Sequence, residues 1–249
     1  MTSIKSSMPF ELYNGQDNFK KLKCLFYGPS GVGKTVLAGS IALMPDLGPV
    51  IGGDIEGGMT SLVAAGYADG IDLTRIDSFT ATDRSYMKLH KHLVGPNNSY
   101  ASAILDSITE LQAMLIDECL IELDKKQPDL AVWNLVTGKM RKAIRRIRDL
   151  PINVIVTALE KQVKDESTGI MIRQPSLNGK MAEELPGFFD IVARMDIRKN
   201  KEGKLVRVAY FEGDNTFRAK DRTGCLGRMM EEPTIEKIWN LIRNKHKLS

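Results

Sequence analysis

The chain has 249 residues, 43% of them hydrophobic and 27% charged, and a formal net charge of +4. That balance suits a globular protein with one large core, and the mild positive charge permits a nucleic-acid partner without demanding one. No apolar run approaches the ~18 residues of a membrane span, residues 1–10 lack the apolar stretch of a secretory leader, and Cys24, Cys119 and Cys225 are too scattered for a C-x-x-C pair, which points to a reducing, cytoplasmic setting.

In chain order, residues 1–20 read as an arm and 21–249 as one domain. Leu22 to Tyr27 reads as a short apolar strand and Thr35 to Leu43 as an amphipathic helix. A strand over 50–54, a short helix near 59–65 and a strand near 73–76 follow. A helix is expected over 82–93, a buried strand over 100–105 and a helix over 108–123. The next helix, 132–150, carries Val136, Met140, Ile144 and Ile147 at steps of three and four. Pro151 ends it, and INVIVTAL (152–159) is another buried strand. Strands alternating with helices of this length imply βαβ units and a mostly parallel sheet. Beyond Glu160 the pattern changes. A hairpin turns at 164–169, residues 175–186 read as loop, strands over 188–197 and 205–211 read as antiparallel, and a helix over 234–244 closes the chain.

The strongest chemical signal is Gly28-Pro29-Ser30-Gly31-Val32-Gly33-Lys34-Thr35, which fits the phosphate-binding P-loop pattern. It sits between a strand and a helix, as its chemistry requires. Glycines turn backbone N–H groups inward as an anion cradle, Lys34 reaches the β- and γ-phosphates, and the Thr35 hydroxyl ligates Mg²⁺. Asp106 closes an apolar strand 72 positions after Lys34, where an acid would hold Mg²⁺ or orient Thr35. Its bland alternative is a cap for the following helix. Glu56 follows the strand at 50–54, and strand ends line the ligand crevice of an open parallel sheet. There a carboxylate would polarise the attacking water; Asp54 competes for the role.

The order GPSGVGKT, GGDIEGG, AILDSITEL, NVIVTALEKQ resembles the core ATPase domain of RecA-like recombinases. The resemblance implies a RecA-like P-loop NTPase fold of the α/β class. It would have a mostly parallel central sheet with helices on both faces and an antiparallel C-terminal extension. It also implies ATP and Mg²⁺ as cofactors, Glu56 as catalytic glutamate and Asp106 as the metal-holding aspartate. Residues 218–224 (RAKDRTG) are similar to the K-x-R stretch of ring-forming DnaB-type helicases. That likeness implies that Lys220 and Arg222 reach a neighbouring subunit's γ-phosphate, so that ATP sits between subunits of a ring or filament. The family usually ends its fourth core strand in a γ-phosphate-sensing Gln. Here Glu160 or Gln162 occupies that place, and the family's large flanking domains have no counterpart.

Length and motif order look most like compact RecA-like ATPases of bacterial viruses and prophages, associated with single-strand annealing and recombination. The expected partners are single-stranded DNA, further copies of the chain, and single-strand-binding or replication proteins. Residues 161–180, with Lys161, Lys164, Arg173 and Lys180, match the family's DNA loops. They hold no aromatic residue, which suggests phosphate contact without base stacking. The basic face of the 132–150 helix and the C-terminal tail compete as DNA surfaces. Two other functions fit a P-loop. One is a nucleotide-switched accessory or loader protein of replication. The other is a small-molecule kinase, against which the D-x-E-G-G stretch argues.

Overall fold

The computed structural model describes residues 21–247; residues 1–20, read from the sequence as an arm in which Phe10 or Phe19 would anchor on a neighbour, lie outside them. The described strands are β1 (Lys23–Gly28), β2 (Val50–Asp54), β3 (Ile71–Arg75), β4 (Ser102–Asp106), β5 (Asn153–Lys164), β6 (Met171–Pro175), β7 (Ile191–Lys199), β8 (Leu205–Tyr210), β9 (Lys220–Asp221) and β10 (Met229–Glu231). The helices are α1 (Lys34–Gly39), α2 (Ser61–Ala65), α3 (Tyr86–Val94), α4 (Ile108–Glu122), α5 (Leu130–Arg148), α6 (Met181–Phe188) and α7 (Ile235–His246).

The sheet runs β10-β8-β7-β1-β5-β4-β2-β3, with β6 on β5 and β9 on β7. From β3 to β7 every neighbouring pair is parallel; β8, β9 and β10 join antiparallel, as does the β5–β6 hairpin. The expected mixed architecture is therefore the observed one. Its cause is visible in β1, which is buried throughout. Successive side chains of a strand point to opposite faces. Leu25 and Tyr27 enter a core shared with α3, α4, α5 and α6, while Cys24 and Phe26 enter one shared with α1, α2 and α7. A strand covered on both faces reads as a continuous apolar run.

Three expectations are corrected. Residues 175–186 are not all loop: α6 occupies 181–188, with Pro186 inside it. Met181, Ala182 and Leu185 form one buried face, and their packing outweighs the local preference of Pro. The helix expected at 82 starts at Tyr86, where the Ser85 side chain caps the backbone N–H of Lys88 at 3.3 Å. The helix after the P-loop tightens into a 3₁₀ turn over Ser40–Leu43. Among the described residues, no helix is long and apolar enough to cross a membrane.

Candidate functional site

The site lies at the C-terminal ends of the central parallel strands. β1 runs into the glycine loop, where Gly31 and Gly33 adopt positive φ (76° and 97°), a conformation open to glycine at little cost. Gly28 is held by contact: an added Cβ would lie 2.5 Å from the backbone oxygen of Met195 on β7. Lys34 is buried, and its ammonium donates to the carbonyls of Gly28 (3.1 Å) and Pro29 (2.8 Å). Burial pulls its pKa down, while the negative charges of Glu56, Asp106 and Glu160 oppose that shift. A polyphosphate would oppose it further.

Asp106 is the hub. It is 1% exposed at the end of β4. One carboxylate oxygen accepts from Thr35 Oγ1 at 2.6 Å and the other from Thr157 Oγ1 on β5. Its backbone carbonyl accepts from the N–H groups of Ile55 (2.8 Å) and Glu56 (3.1 Å), which pins the turn after β2 to the end of β4. The cap on α4 is made by the Ser107 side chain, so Asp106 is not needed for it. A Cβ on Gly58 would stand 3.6 Å from Asp106 Oδ2 and 3.8 Å from Thr35 Oγ1. The glycine thus keeps space open beside a hydroxyl and a carboxylate, an all-oxygen donor set suited to a hard divalent cation.

The two acids after β2 have different surroundings. Asp54 is tied into the turn: it accepts from Gly57 N–H at 2.8 Å and faces Arg75 at 3.4 Å. Glu56 is exposed and lines a cleft of about 450 Å³ together with Ser30, Gly33, Lys34, Thr35 and Gly58. Among the described residues, then, Asp54 is bonded within the turn, whereas the Glu56 carboxylate has no hydrogen bond and its charge acts on Lys34 across the cleft.

Glu160 faces a different partner from the one its place suggested. It pairs with Arg194 at 2.6 Å, and Arg173 stands 3.6 Å away. Gln162 is exposed further along β5. Lys220 and Arg222 are not brought to the loop of their own chain. Lys220 pairs with Val192 near the start of β7, level with Leu25 of β1. Arg222 donates to Asp190 Oδ1 and to the Gly187 carbonyl, both at 3.1 Å. The cleft contains instead Arg207 of β8, whose side chain lies against Gly33. The sequence carried no local signal for this contact, because it depends on the β7–β8 hairpin folding back beside β1.

The proposed DNA loops, 161–180, form the β5–β6 hairpin and the segment entering α6. Lys161 turns inward to the Leu177 carbonyl, whereas Lys164 and Lys180 are exposed. Arg173 joins Arg194, Arg198 and Arg228 around a cleft of about 760 Å³ whose wall includes Tyr210 and Phe217, ring centroids 5.4 Å apart. The exposed Lys199, Lys201 and Lys204 extend this basic surface along the β7–β8 hairpin. Two acids share this wall, Asp196 beside Arg194 (2.8 Å) and Asp214 beside Arg228 (4.0 Å), much as Glu184 holds Arg141 and Glu122 holds Lys139 on α5.

The chain matches the AAA domain family over residues 20–223, and it belongs to that family. It is a P-loop ATPase, and its fold implies nucleotide binding. None of the curated proteins compared matches it. Similar solved structures include the RadB recombinase, 19% identical, covering 84% of this chain and 84% of that one with a TM-score of 0.49. They also include the assembled ATPase EscN in complex with its central stalk EscO, from the enteropathogenic E. coli type III secretion system. That structure is 16% identical and covers 71% of this chain and 42% of its own, with a TM-score of 0.47.

Proposed function

We propose that this ATPase is RecA-like, requires Mg²⁺, binds single-stranded DNA in a recombination or annealing reaction, and works in the cytoplasm as a homo-oligomeric ring or filament. The observation that carries the catalytic part is the convergence of Lys34, Thr35 and Glu56 on one cleft, with the buried Asp106 bonded to Thr35 behind it. The amides of residues 28–35 and the Lys34 ammonium hold the triphosphate. Thr35 and Asp106 hold the metal ion, which when bound neutralises phosphate charge. Glu56 accepts a proton from the water whose oxygen bonds to the γ-phosphorus, as the bond to the ADP oxygen breaks. Lys220 and Arg222 complete the site of a neighbouring copy, adding positive charge where the transition state needs it.

The DNA reading is supported by the arginine-lined cleft and the lysines of the β7–β8 hairpin. Arginines neutralise phosphodiesters, and an aromatic wall offers a face for a base. This widens the surface expected at 161–180: the hairpin contributes Arg173, and the aromatic rings come from elsewhere in the chain.

The test is ATP turnover of wild type and Lys34→Ala, with and without single-stranded DNA, alongside oligonucleotide anisotropy of Arg198→Glu/Arg228→Glu. Expected are loss of hydrolysis in the first variant, and weaker DNA binding with intact basal turnover in the second. Turnover unaffected by Lys34→Ala would overturn the catalytic reading. DNA affinity unchanged in the double variant would overturn the DNA surface. Negligible wild-type turnover, with ATP-dependent capture of a replication protein, would favour the switched accessory protein instead.

A further inference from the structure

Arg207 stands in the nucleotide cleft without a role in the mechanism above. It is the third residue of β8, between the buried Val206 and Val208, and its own side chain is exposed. Its backbone is clamped on both sides by Glu232: its N–H donates to the Glu232 carboxylate at 3.1 Å, and its carbonyl accepts from the Glu232 N–H at 2.8 Å. From that fixed point the side chain crosses to the P-loop. A Cβ built on Gly33 would meet Arg207 Nε at 2.6 Å and Cδ at 2.9 Å, so the stem packs directly on the loop. The guanidinium shares the cleft wall with Lys34, Thr35, Val36 and Glu56. Among the described residues it has neither a hydrogen-bond nor an ion-pair partner.

We propose that Arg207 is a same-chain phosphate-binding residue, which places its guanidinium on the triphosphate of the bound nucleotide. Two other arginines near the strand ends are already matched: Arg194 by Glu160 and Asp196, Arg75 by Asp54. Arg207 is an unmatched planar donor resting on a loop built to hold polyphosphate, and a guanidinium is the side chain best shaped to grip phosphate oxygens with two parallel bonds. The residue is distinct from Lys220 and Arg222, which would act from another copy. It needs no assembly, so a monomer already has two cations, Lys34 and Arg207, on its nucleotide. The clamp from Glu232 makes the segment entering α7 the positioning element for this contact.

The inference rests on the nucleotide-binding reading, and the experiment separates the two. Binding of a fluorescent ATP analogue is measured for wild type, Arg207→Ala, Arg207→Lys and Lys34→Ala, and inorganic tripolyphosphate is then used as competitor. A charge-assisted hydrogen bond contributes about 1.5–3 kcal/mol, which corresponds to roughly ten- to a hundredfold in affinity. Arg207→Ala is expected to weaken both the analogue and tripolyphosphate by at least about tenfold, and Arg207→Lys to recover part of the loss. Thermal unfolding of each variant checks that the fold is kept. Binding within twofold of wild type in Arg207→Ala, or a loss for the analogue with tripolyphosphate unaffected, would overturn the phosphate contact. Lys34→Ala binding as tightly as wild type would instead overturn the nucleotide site itself.

Discussion

At the scale of single residues, Asp106 carries more than one task. Its carboxylate is buried and accepts two hydroxyl donors, while its carbonyl anchors the turn bearing Glu56. Asp106→Asn keeps the volume but removes the charge that would hold the metal and orient Thr35. We expect hydrolysis to fall by about a hundredfold or more, the scale of losing one preorganised electrostatic group, with nucleotide binding affected far less; a turnover assay beside a binding titration reads the difference. Thr157→Val removes one donor from the same buried carboxylate and should lower stability by about 1–3 kcal/mol in urea unfolding. The P-loop was legible in the sequence because its residues are contiguous, and the aspartate because it closes an apolar strand. Thr157 and Arg207 were not: each meets the site only across strands, so no run of neighbouring residues announces it. Glu56 was legible as a candidate, but its separation from Asp54 needed the Gly57 N–H bond to be seen.

At the scale of elements, the parallel half of the sheet was readable from its buried apolar runs. The start of β1 shows what such runs conceal. Lys23 is 9% exposed, and its ammonium donates to the carbonyls of Leu150 (2.5 Å) and Ile152 (2.7 Å) in the turn between α5 and β5. Burial is the main cause of a pKa lowered to about 8. Because this is below the ordinary value of 10.5, the folded chain binds fewer protons than the unfolded chain between the two values. Stability from this group therefore rises with pH across that window, and the cost of burying the charged form is full below pH 8. Urea unfolding of wild type and Lys23→Met at pH 7.5 and 9.5 isolates the effect. Wild type should gain on the variant at the higher pH, and an unchanged difference would show that Lys23 keeps an ordinary pKa. Asp129 gives a simpler case. Its side chain caps α5 by accepting from Val132 N–H at 3.0 Å, and Asp129→Ala should lower the urea midpoint of unfolding.

At the scale of the whole molecule, a single chain contributes two different surfaces to the proposed assembly. Its loop, Glu56 and Asp106 gather at the C-terminal strand ends. Lys220 pairs with Val192, three positions down the sheet from the level of Gly28, or ~10 Å along a strand. Any action of Lys220 and Arg222 on ATP is therefore directed at another copy. A head-to-tail contact of this kind joins unlike surfaces and closes as a ring or continues as a filament. The resemblance of residues 218–224 implied this division; its physical ground, that strand order and the antiparallel return set Lys220 below the level of the loop, is not visible in the sequence. The arrangement makes a complementation prediction. Lys34→Ala lacks a working loop but keeps Arg222, and Arg222→Ala has the reverse defect. Each alone should hydrolyse ATP slowly, with Arg222→Ala still binding nucleotide. In a freely exchanged equal mixture, about one site in four pairs an intact loop with an intact neighbour, since each contact is formed between two independently chosen copies. Turnover should then recover to roughly a quarter of wild type and rise with protein concentration as assembly proceeds. A mixture no more active than its components, under conditions where both assemble and exchange, would remove Lys220 and Arg222 from the catalytic site and leave Arg207 as the arginine that the nucleotide meets.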